Sequence, residues 1–123
     1  MKIVALIARV LLGLVFLVFG LNLFLHFIHM PPPEGQAGAF FGALFVSGYI
    51  YPIAVLQVVG GLLMLSGRFI PIGLVLLGPV IVNIVLFHIC LDPKGLPMAI
   101  GVAVLSLIVL AHHRQSFAPL LKA

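Results

Sequence analysis

Long runs of apolar residues, broken by short polar or Pro/Gly-rich stretches, cover most of this chain. Four runs, at 3–29, 49–66, 69–91 and 96–111, come near the roughly 20 apolar residues that a helix needs to cross a bilayer core of about 30 Å. The last is the shortest. Strict alternation of apolar and polar residues, which a spanning β-barrel needs, does not occur. A helical bundle is then the remaining way to satisfy every backbone polar group inside hydrocarbon. The expected fold is an all-α, four-transmembrane-helix bundle in one domain over residues 1–123. Lys2 precedes the first run as in a signal peptide. The run is nevertheless too long for a signal core and lacks a small-residue cleavage site before Met30, so it reads as a helix of the mature protein.

The breaks predict the connections. Three prolines at 31–33 force an extended exit from the first helix. Residues 36–47 are too few to cross, and predict a short interfacial helix between helices 1 and 2, with Phe40, Phe41, Leu44 and Phe45 directed at lipid or protein. Two roles fit this segment, a lid over the bundle mouth or a surface anchor. Tyr49 and Tyr51 mark the outer headgroup level. Tight turns are expected at 66–69 and 92–95, which makes the last three spans antiparallel neighbours. Gly13 and Gly20 share a face of the first helix and Gly60 and Gly61 sit mid-span in the second, all suited to close helix contact. Gly78 and Pro79 free the Val75 carbonyl and predict a kink.

Composition agrees with the pattern. The chain is 64% hydrophobic and 7% charged, with a mean hydropathy of +1.42, well above a water-soluble domain. Lys2, Arg9, Arg68, Arg114 and Lys122 fall on one side of the spans and only Lys94 on the other. The positive-inside rule then puts both termini in the cytoplasm. The basic balance needs no nucleic-acid partner, and Arg114 and Lys122 can meet anionic lipid headgroups. Arg9, inside the first span, is expected to snorkel to the inner headgroups. Cys90 is the single cysteine, so no internal disulfide exists, and it reads as a small buried hydrophobe.

Candidate chemistry rests on polar residues in the spans. Asn22, Gln57 and Asn83 each lie eight positions from the outer end of a different span, about 12 Å deep at 1.5 Å per residue. Ser106 lies slightly deeper. Asn22, His26 and His29 fall within about 60° on one helix face, and Gln57 shares its side with Gly61 and Met64. The ligand-binding candidates are therefore Asn22, His26, His29, Gln57, Asn83 and His88. Two readings stay open: interhelical hydrogen bonds that lock the bundle, or an outer-leaflet pocket for a lipid-like ligand. Metal or haem ligation is not expected. His88 lies about 140° round its helix from Asn83 and meets Asp92 one turn on. His112 and His113 read as interface residues at a helix C-terminus.

Residues 9–22, 57–68 and 83–88, carrying Arg9, Gly13, Gly20, Asn22, Gln57, Gly60, Gly61, Asn83 and His88, together resemble the DoxX family of small four-helix bacterial membrane proteins. The resemblance runs from Arg9 to about Arg114. That family is related to the membrane subunit of thiosulfate:quinone oxidoreductase. The resemblance implies a multi-pass protein of the bacterial inner membrane, a quinone-linked or redox-associated subunit that works with soluble redox enzymes in a homo-oligomer or complex. Many members carry Glu where this chain has Gln57, so a proton-carrying carboxylate is missing. A non-catalytic assembly or anchoring subunit is the alternative. A small-molecule transporter is a further one, although proton-coupled exchange needs an intramembrane ionisable group.

Overall fold

The computed structural model describes residues 2–25 and 35–121. The chain forms α1 (Lys2–Leu25), α2 (Gly35–Ser47), α3 (Ile50–Ser66), α4 (Ile70–Cys90) and α5 (Leu96–His112), followed by a short α6 (Arg114–Phe117). No strand occurs among the described residues. The expected all-helical architecture therefore holds. Three stretches are long and apolar enough to cross a bilayer: Lys2–Leu25, Ile70–Cys90 and Pro93–His112. The last gains length because a 3-10 turn, Pro93–Gly95, leads into α5. The second expected span is the short one instead, since α3 has 17 residues and qualifies only together with α2, from which it is bent by 90°. Residues 26–34, with the triple proline, Glu34, His26 and His29, lie outside the described residues.

The four long helices pack as a closed ring in the order α1, α3, α4, α5, so each neighbouring pair runs antiparallel. One end of the ring carries Lys2, the 66–69 turn and His112, and is called the basic end below; the other carries the 92–95 turn. Each helix sends an almost fully buried residue to the centre: Leu12 and Phe16 from α1, Met64 from α3, Leu77 from α4 and Val109 from α5. Leu14, Val59, Val75, Val82 and Leu107 point outward and are exposed. Because the helices are apolar all round, the inward face is chosen by packing rather than by polarity.

Glycine sets the tightest seam. At Gly61 an added Cβ would stand 2.7 Å from the Leu17 amide nitrogen and 2.9 Å from the Gly13 carbonyl oxygen. Gly13 and Gly20 face Leu65 and Gln57 of α3 in the same way. The two backbones touch there, as only glycine permits. Gly60 looks the other way and receives Leu77 of α4.

Two connections turn on left-handed residues. Gly67, at φ 73°, ends α3 with its amide bonded to the Leu63 carbonyl, a helix stop that glycine adopts without a Cβ penalty. Phe69 follows at φ 55°, an unusual value for a bulky residue. Gly48, at φ 80°, makes the right-angle corner between α2 and α3, and the Ser47 hydroxyl accepts the Tyr49 amide hydrogen there at 3.2 Å. α4 runs through Pro79 without a break.

Candidate functional site

The three amides at matched depth do not converge. Gln57 is 9% exposed and its Cβ packs against Gly20 in the α1–α3 seam. Asn22, 6% exposed, lies two residues beyond Gly20, which puts it about 160° round the same helix. Asn83 is exposed on the outer surface of α4. There its Nδ2 donates to the Pro79 carbonyl at 2.8 Å, a bond within its own helix. Counting along the sequence gives them one depth, but the structure does not turn them to one side.

His88 is buried at the end of α4 away from the basic end. Its Nδ1–H donates to the Asp92 carbonyl at 3.0 Å, and the Asp92 carboxylate lies 4.0 Å away. The ring fills the space under the α4–α5 turn, where any side chain at Gly95 would overlap it. This is the contact with Asp92 anticipated from spacing, and it ties the imidazole to the turn. Gly95→Ala is therefore expected to destabilise the protein by about 1–3 kcal/mol through overpacking, read as a lower unfolding temperature in detergent. His88→Gly in the same background should restore part of the loss. His26 and His29 fall among the undescribed residues, and no group of three metal-ligating side chains gathers among the described ones.

Aromatic rings close the same end. Phe40 and Phe41 of α2 pack on Phe87 of α4, with centroids 5.6 Å and 5.0 Å away, and Phe24 stacks on Tyr51 at 5.6 Å. Ala37 is the buried residue of α2, while Val46 is almost fully exposed. α2 thus leaves the start of α3 at a right angle and packs Phe40 and Phe41 on α4. Cys90, the last residue of α4, is exposed rather than buried. Ser106 bonds its own helix through the Ala103 carbonyl at 2.7 Å.

Arg9 does something that spacing alone does not show. Its Nη1 donates to the Met64 carbonyl and, at 3.4 Å, to the Leu65 carbonyl. The guanidinium thereby caps the C-terminal end of α3, where carbonyls lack helical partners and the helix dipole is negative. It turns sideways onto a neighbouring helix. The only sequence signal is indirect: a charge in α1 at the depth where the Ser66–Gly67 stop falls, with no acid at that end of the chain.

No family model, curated protein or solved structure matches this chain.

Proposed function

We propose that this chain is an integral protein of a bacterial inner membrane, of DoxX type with both termini cytoplasmic, and that it serves as a non-catalytic anchoring subunit of a quinone-linked redox assembly. Three apolar helices of crossing length, outward-facing Leu, Val and Ile side chains and the one-sided basic residues support the membrane part. The DoxX motifs support the redox association.

The anchoring role is carried by Asn83. Its Nδ2 serves the Pro79 carbonyl, but its Oδ1 accepts no bond among the described residues and its side chain faces away from the bundle. In hydrocarbon an amide left without a partner is costly, and a neighbouring helix is what supplies one. Gln57 and His88, by contrast, are built into a seam and a turn. Arg9 already bonds the backbone of a neighbouring helix, and Asn83 offers a contact of that kind to another chain.

Asn83→Leu is expected to leave the unfolding temperature nearly unchanged, because the lost bond is internal to α4. It should also lower recovery of a co-purifying membrane partner or second copy after mild detergent extraction. Unchanged recovery would sink the anchoring role. The quinone-binding alternative draws on the burial of Asn22 and Gln57 and on the aromatic cluster over that end. Mass spectrometry of the purified protein separates the two: a stoichiometric quinone that is lost on Gln57→Leu would replace anchoring with ligand binding.

A further inference from the structure

A cleft of about 240 Å³ opens at the basic end, between the start of α1 and the end of α5. Lys2, Arg9, His112 and His113 line it, over an apolar floor of Ala5, Leu6 and Ile70. Three features of its chemistry point the same way. First, among the described residues it gathers basic side chains without an acidic one, the described acid Asp92 sitting in the turn at the opposite end. Second, its donors are partly committed and partly free. Arg9 uses Nη1 on the α3 carbonyls, which leaves the Nε and Nη2 hydrogens of a five-donor guanidinium. His113 gives its Nδ1–H to the Val109 carbonyl at 3.1 Å, and its ring packs edge-on to His112 at 5.0 Å. Third, Leu6 of the lining is exposed, as are Ile3 and Ile7 next to it on α1, so an anion bound there has an apolar helix surface nearby.

We infer that this cleft binds a phosphate group, and that its source is the headgroup of an anionic phospholipid whose acyl chains lie along α1. The phosphate sits between Lys2 and Arg9, whose fixed charges it neutralises, with His112 adding a ring N–H. Basic pockets between helices on the cytoplasmic side suit such headgroups, and an arginine already oriented by two carbonyls loses little freedom on binding. A free phosphate compound would use the charges but not the apolar flank. This inference rests on the membrane reading above.

The test uses the full chain, purified in detergent, stripped of lipid and titrated by native mass spectrometry with phosphatidylglycerol, phosphatidylcholine or inorganic phosphate. Phosphatidylglycerol should be retained over phosphatidylcholine, and millimolar inorganic phosphate should fail to displace it. The double variant Lys2→Gln/His112→Asn should weaken retention about fivefold or more, because it removes two of the donors that bond the phosphate directly. Arg68→Gln removes a charge from the same end outside the cleft and should change retention less than twofold. Equal losses in the two variants would replace the site with diffuse surface charge, and so overturn it. Displacement by inorganic phosphate would overturn the lipid source, and equal retention of the zwitterionic lipid would overturn the phosphate contact. A chain that stays monodisperse without detergent would instead overturn the membrane reading.

Discussion

Gly61→Ala is expected to be the most damaging single-methyl change in the bundle. The new Cβ would meet the backbone of α1 at Leu17 and Gly13, at 2.7 Å and 2.9 Å, and backbone cannot rotate aside as a side chain can. Either α1 and α3 separate along their longest seam or one helix shifts along the other. Overpacking of this kind costs about 1–3 kcal/mol, and the rigid contact puts Gly61 at the upper end. The same change at Gly101 should have the opposite sign, because no other part of the protein comes within 4 Å of its added Cβ beyond the local helix backbone and alanine favours a helix over glycine by about 1 kcal/mol. Thermal unfolding in detergent, followed by helicity, measures both. If Gly61→Ala melts with or above the parent protein, α1 and α3 do not touch as described.

Arg9→Met should come next in size. The substitution keeps much of the aliphatic volume but leaves the Met64 and Leu65 carbonyls without their charged donor, at a cost of about 1.5–3 kcal/mol. Arg9→Lys should recover part of it, since a single ammonium supplies charge but not the planar fork. Arg68→Met is the comparator. Arg68 is exposed, and its loss should stay within about 0.5 kcal/mol. Were Arg68→Met as harmful as Arg9→Met, net charge rather than capping would be responsible.

Of these two residues, Gly61 was readable in the sequence as a close-contact position and the role of Arg9 was not. Helix ends were legible, because Gly67 and the 92–95 turn are local signals and apolar runs have clear limits. The small-residue face of α1 was legible too, since Gly13 and Gly20 are two turns apart and meet α3. What could not be read was rotation about each helix axis. In a helix apolar on every side, no polar stripe says which way is out. Asn83, counted to the same depth as the other two amides, therefore stands on the outer surface of α4, and Asn22 and Gln57 do not share a face. Arg9 was hidden for a different reason. Its acceptors are backbone carbonyls, which carry no residue identity.

The shortness of α3 reaches beyond the bundle. Seventeen residues give a rise of about 26 Å, a few Å less than a typical hydrocarbon core. α2 leaves at a right angle and adds nothing to that height. Once embedded, the side of the protein formed by α3 fits a thin bilayer better than a thick one, while α1 and α4 reach full span. In a bilayer each Å of mismatch would cost a fraction of a kcal/mol, and the surrounding lipid would dip toward α3. Partners with equally short helices would gather on that side.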